Sequence, residues 1–153
     1  MLPRYRTYLG KEIIQMTTET LSKEAVKAAE YFENKLAFEY GPIGLKYAIQ
    51  NKEPLTVIDL RTPELFEKSH IPGALNVSYE ELEKSTEKVN RDTTAVVYCY
   101  GITCHLATKA ALLLAKKGYK VKELFGGFDE WAAAELPIEG TQTKSSCGTS
   151  SCG

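Results

Sequence analysis

The stretch that most constrains this chain runs from Ala95 to Ala107. A β-branched, apolar run stops abruptly at Cys99. A short loop follows, Tyr100-Gly101-Ile102-Thr103-Cys104-His105, and a strongly helical segment, Leu106 to Lys117, begins beyond it. In an open α/β sheet, ligands sit outside the carboxyl ends of the strands, and this pattern puts a thiol at such an end. The loop and the first helical turn bring backbone N–H groups with no intrahelical partner, which favour negative charge. A thiolate is such a charge, so the expectation is a lowered pKa for Cys99.

The rest of the chain reads as scaffold for that loop. Leu21, Ala25, Ala28, Ala29, Phe32 and Leu36 recur at helical spacing and predict a helix over about residues 21–39. Thr17, Thr18, Thr20 and Ser22 are its candidate N-caps, and Gly41-Pro42 stops it. A shorter helix carries Leu45, Ala48 and Ile49 on one face. Leu55 to Leu60 reads as a buried parallel strand. Thr62-Pro63 opens a helix of about two turns. His70 to Ala74 is a turn, Leu75 to Val77 a short strand, and Ser78 with Glu81 a capping box. After the central stretch come a strand over Tyr119 to Phe125, a sharp turn at Gly126-Gly127, and a last helix with Phe128 and Trp131 on its core face, closed by Pro137. Strands and helices alternate from residue 55 to 134, the order of a parallel sheet covered on both faces.

The boundaries are expected at 1–41 for an N-terminal extension with its amphipathic helix, 42–139 for the α/β domain, and 140–153 for a disordered tail of Gly, Ser, Thr and Cys. A length of 153 residues suits one such domain. The net charge of −1 gives no reason to expect nucleic acid or an anionic membrane as partner. No apolar run approaches the ~20 residues that cross a bilayer, and Met1 to Met16 lacks the apolar centre of a secretory signal. The expected location is the cytoplasm. In a reducing compartment the four cysteines, two pairs of identical spacing at Cys99/Cys104 and Cys147/Cys152, are candidates for catalysis, redox chemistry or metal binding.

Four segments in register, Val57-Ile58-Asp59-Leu60-Arg61, His70-Ile71-Pro72-Gly73-Ala74, Tyr98-Cys99 with its loop, and Gly126-Gly127-Phe128-x-x-Trp131, resemble the successive signatures of a single-domain rhodanese. The resemblance covers about residues 42–137. It implies a rhodanese-like α/β domain with a central parallel sheet of four to five strands, helices on both faces and, outside the common domain, an extra N-terminal helix. It also implies a sulfurtransferase with a catalytic Cys99 that carries sulfur as a persulfide, with no cofactor and no metal. In many members the loop after the cysteine holds arginine or lysine for an anionic donor such as thiosulfate. Here residues 100–104 carry no cation, so the expected donor is thiosulfate or a persulfide, and the acceptor a thiol or a protein.

The site residues divide by role. Cys99 is the nucleophile, against the plain alternative of a buried core thiol. The N–H groups of Tyr100, Gly101, Ile102, Thr103 and His105 would cradle an anion, with Gly101 permitting close approach. Cys104 is either a resolving thiol that attacks the Cys99 persulfide or a small residue packed at the helix start. His105 could bond a bound anion; the bland reading is a solvated side chain. Arg61 is a candidate substrate cation, against a scaffold ion pair with Asp59. His70 reads as structural. Cys147 and Cys152 could form a mobile dithiol or complete a zinc site with Cys99 and Cys104, the default being incidental thiols in a tail.

Three other functions compete. A thiol–disulfide or arsenate-type redox enzyme would use Cys99 and Cys104 together. A phosphatase related by fold would want a longer loop closing on an arginine, whereas the position six after Cys99 is His105. A non-catalytic binding module would use the fold for contacts, and the helix over about residues 21–39 could then serve as a partner or dimer surface.

Overall fold

The computed structural model describes residues 22–142; expectations for Met1 to Met16, Cys147 and Cys152 lie outside them. The chain divides after Ala37. On the first side stands helix α1, Lys23–Phe38. Of the four N-cap candidates, Ser22 is used: its Oγ accepts the amide of Ala25 at 3.2 Å. Val26, Tyr31, Phe32 and Leu36 are exposed along α1.

The second unit follows the expected alternation: β1 Glu39–Tyr40, α2 Pro42–Gln50, β2 Leu55–Asp59, α3 Pro63–Lys68, β3 Leu75–Asn76, α4 Tyr79–Lys84, β4 Thr94–Tyr98, α5 Leu106–Lys116, β5 Val121–Leu124 and α6 Gly127–Ala133. The strands form one sheet in the order β1-β5-β4-β2-β3, and every pairing is parallel. The sequence pattern missed β1, whose residues were expected to end a helix or to start a loop. Two residues carry no readable period. They become a strand by pairing with β5 far along the chain, Tyr40 beside Leu124, and the carbonyl of Tyr40 also accepts the amide of Phe125 at 2.8 Å.

Parity along the strands sorts the core. On β4, Ala95 and Val97 point to one face, where Leu82 of α4 and Ala107, Ala110 and Leu114 of α5 cover them. Val96 and Tyr98 point to the other, against Leu45 of α2, Ile71 and Trp131 of α6. Both faces are therefore dry, which explains strands that read as nearly continuous apolar runs. Trp131 is anchored by its indole N–H, which donates to the carbonyl of Pro137 at 2.8 Å. The capping box on α4 is present in both directions.

Two joints fix the carboxyl end of β2. Asp59, fully buried, accepts from the amide, Nε and Nη2 of Arg61 and from the hydroxyl of Tyr98 at 2.6 Å. That hydroxyl in turn accepts the amide of Ile71 at 3.2 Å. The second joint is at His70. Its ring stacks on Phe66 with centroids 3.8 Å apart, and its Nδ1 meets the Phe66 carbonyl at 2.7 Å, a structural role. His70 also bridges Glu139 in both backbone directions. The amides of Thr141 and Gln142 donate to Glu67 and Lys68, so the chain is still tied down inside the segment read as tail.

Candidate active site

Strand β4 lies at the centre of the sheet. From β2 the chain passes to β3 on one side, and from β4 to β5 on the other. The order reverses between β2 and β4, and a crevice opens at the carboxyl ends of strands around such a switch point. Asp59 to Arg61 leave β2 there, and Cys99 leaves β4 there.

Cys99 continues the parity of Ala95 and Val97, so its sulfur points to the α5 side. It is 2% exposed and belongs to the core cluster that contains Ala107, Ala110 and Leu114. Cys104, half-buried, packs on the rim of the same cluster. The two sulfurs are 2.9 Å apart, and both cysteines are free thiols. Sequence spacing could not supply this distance.

The loop between them is pinned from outside. Its first carbonyls accept from α6: the amide of Phe128 donates to Cys99 at 3.0 Å and that of Asp129 to Tyr100 at 2.9 Å. The close approach needs a glycine on the α6 side. A Cβ on Gly127, whose φ is +60°, would lie 2.7 Å from the Cys99 oxygen and 2.9 Å from the Tyr100 oxygen. On the loop side, a Cβ on Gly101 would meet the carboxylate of Asp129, the end of a side chain that can turn. Within the loop, the amide of Cys104 donates to the Gly101 carbonyl at 3.0 Å, a turn that fixes the second thiol. Among the described residues, the amides of Ile102, Thr103 and His105 meet no acceptor. They stand beside the first turn of α5, whose own amides lack intrahelical partners.

One expectation is reversed. The amide of Tyr100 does hydrogen-bond the Cys99 sulfur and lowers its pKa, but burial dominates. Desolvation first, then the hydrogen bond with Cys104, push the Cys99 thiol up to about 12. The physical reason is that a low-dielectric environment penalises the charged form more than one amide repays. Cys99 rests as a thiol.

The other named residues separate by exposure. Tyr100 and Ile102 are exposed at 39% and 68%, and Thr103 and His105 are also exposed, so the loop presents a mixed apolar and polar rim. His105 is the N-cap residue of α5, with no capping bond from its side chain. Arg61 is placed otherwise: it is 5% exposed, its Nη2 is 2.7 Å from Asp59 Oδ2 and 2.6 Å from the Ser69 carbonyl, and its guanidinium lies 3.8 Å from the Phe128 ring centroid. Sequence reasoning missed Asp129 and Gly127 as the loop's supports; the Gly126-Gly127 pair signalled a sharp turn but not what it would turn against. No cluster of metal-binding side chains occurs among the described residues, and no helix there is long and apolar enough to cross a membrane.

Comparison with known proteins accords with this geometry. A family model described as the Rhodanese-like domain matches residues 45–134. The thiosulfate sulfurtransferase GlpE of Coxiella burnetii is 33% identical over 89 residues, 57% of this chain and 80% of that enzyme. The HTH-type transcriptional regulator Rv0324 of Mycobacterium tuberculosis is 35% identical over 85 residues, 56% of this chain, and the match spans 38% of the regulator's length. Among solved structures, the BH2092 protein of Bacillus halodurans superposes with a TM-score of 0.71 at 31% identity, covering 78% of this chain and 88% of that one.

Proposed function

Because this chain belongs to the rhodanese-like domain family, we propose that it is a sulfurtransferase that takes sulfane sulfur from a donor onto Cys99 as a persulfide and passes it to a thiophilic acceptor. The observation that carries this reading is the position of Cys99. Its sulfur sits at the carboxyl end of the central strand, at the switch point of the sheet, where the loop to α5 begins. A persulfide or a donor anion held at Cys99 would draw on the N–H groups of Ile102, Thr103 and His105, which meet no acceptor among the described residues.

The donor follows from charge. Residues 100–104 hold no cation, and Arg61 is already engaged by Asp59 and Ser69 as a scaffold pair. A thiosulfate dianion would find backbone dipoles alone, so an organic persulfide, which brings a single charge at its reacting end, suits the loop better. The buried thiol sets the order of events. The donor enters first. As the Cys99 sulfur bonds to the donor's outer sulfur, the bond from that sulfur to the rest of the donor breaks. The departing thiolate carries off the electron pair and takes the Cys99 proton.

The test is sulfur transfer to cyanide or to a small thiol, measured with thiosulfate and with glutathione persulfide as donors. The wild-type chain is expected to turn over faster with the persulfide, and Cys99→Ser to lose activity with both. Undiminished transfer in Cys99→Ser, or no sulfur taken from either donor by the wild type, whether passed to the acceptor or released as sulfide, would refute the assignment.

A further inference from the structure

The sulfur pair says more than that a persulfide can form. Cys104 is not a neighbour of Cys99 in the chain, yet its Sγ stands 2.9 Å from the Cys99 Sγ. A disulfide, at about 2.05 Å, is under ~1 Å closer. The remaining gap is less than the length of one covalent bond. The Cys99 end of the loop is tied to Phe128 and Asp129, and the Cys104 end is held by the turn onto the Gly101 carbonyl. No disulfide joins the two sulfurs in the structure.

We propose that Cys104 is the resolving thiol of this site, so that sulfur loaded on Cys99 leaves as sulfide and the chain becomes a Cys99–Cys104 disulfide. This rests on the sulfurtransferase reading for the loading step. The resolving step balances within the protein. The Cys104 sulfur, as thiolate, attacks the Cys99 Sγ. The bond from that Sγ to the outer sulfur breaks, and its electron pair departs with the outer sulfur. The proton released by Cys104 ends on the departing atom, which leaves as HS⁻. The sulfane sulfur is reduced and the two thiols are oxidised. A dithiol reductant restores the pair by two ordinary exchange steps and is consumed one for one.

Two features favour this outcome over simple transfer. The first is proximity. An external acceptor must diffuse to the site, whereas Cys104 is already in contact with Cys99; holding the reactants together removes the cost of bringing them together. The second is the leaving group. An acceptor that attacks the outer sulfur must expel the Cys99 thiolate, and exchange slows as the leaving thiol becomes more basic. Burial makes Cys99 a basic thiol. Attack on the inner sulfur expels sulfide and leaves no charge behind in the core. Cys104 itself is half-buried, so the resulting disulfide has an edge that a dithiol can reach.

The experiment is one turnover in the absence of oxygen. The reduced full chain is mixed with glutathione persulfide, quenched with iodoacetamide, and read by sulfide release and peptide mass spectrometry, with the same chain carrying Cys147→Ser and Cys152→Ser run alongside. The expected result is one sulfide per chain and a protein two hydrogens lighter, with the bridge mapped to Cys99 and Cys104 in both. Cys104→Ser is expected to become one sulfur heavier at Cys99 and to release sulfide at least about tenfold more slowly. A wild-type chain that keeps the extra sulfur on Cys99 with Cys104 alkylated would overturn the inference and leave the sulfurtransferase reading standing. So would a persulfide moved to Cys104, or a bridge to Cys147 or Cys152. No sulfur taken up by either the wild type or Cys104→Ser would sink the sulfurtransferase reading, and this one with it. The wild-type result does not depend on whether the variant folds.

Discussion

Replacing Gly127 with alanine is expected to cost about 3–4 kcal/mol. The position has φ +60°, and an L side chain there carries about 1–2 kcal/mol of strain. The new Cβ would also lie 2.7 Å from the Cys99 oxygen and 2.9 Å from the Tyr100 oxygen. Those are backbone atoms at the end of a central strand and cannot swing aside, so the turn must back away. Doing so gives up the hydrogen bonds from Phe128 to Cys99 and from Asp129 to Tyr100, each worth about 1 kcal/mol net. For a domain of this size the total is a fall in Tm of about 10 °C. Gly73→Ala is the control. Its φ is +75°, and a Cβ there would meet nothing within 4 Å, so strain alone, about 1–2 kcal/mol, is expected. Urea unfolding at unchanged m-value measures both. The reasoning fails if Gly127→Ala unfolds within about 0.5 kcal/mol of the wild type, a typical surface effect, or if the two variants cost the same.

Arg61→Met should destabilise the fold by about 3–5 kcal/mol, because it leaves the fully buried Asp59 carboxylate without its cation; in the folded fraction the KM for the sulfur donor should hold, and a raised KM at unchanged Tm would make Arg61 a substrate group instead. Alkylation of Cys99 by iodoacetamide should rise about tenfold per pH unit, following the thiolate fraction, with no plateau below about 12; a plateau near neutrality would contradict the burial effect. The same upward shift predicts a stability term that is complete below the ordinary thiol value of 9.0 and lost as pH rises through about 12, visible as a falling Tm in alkaline buffer. Ser78→Ala should cost about 1 kcal/mol in urea unfolding, since its Oγ caps the amide of Glu81 at 3.2 Å.

The sequence by itself determined the order of elements, the parallel sheet, the capping box at Ser78, the structural role of His70 and the placing of Cys99 at a strand end. Each of these is written in local chemistry: a period, a cap, a turn residue, an apolar run that stops. Even the face to which Cys99 points follows from counting by twos along β4. Three things were decided by tertiary structure alone. Strand β1 exists because β5 lies beside it. Arg61 stands two residues beyond Asp59, and sequence left open whether it turned outward to a substrate or inward to that carboxylate. The burial of Asp59 settled it, since a carboxylate in the core takes the nearest cation. The state of Cys99 depends on how far α5 closes over it, because the dielectric around a sulfur is set by everything packed within a few ångströms and not by its neighbours in the chain. For the same reason the 2.9 Å between Cys99 and Cys104 could be read only from the folded loop, where Phe128 and Asp129 hold one end and Gly101 turns the other back.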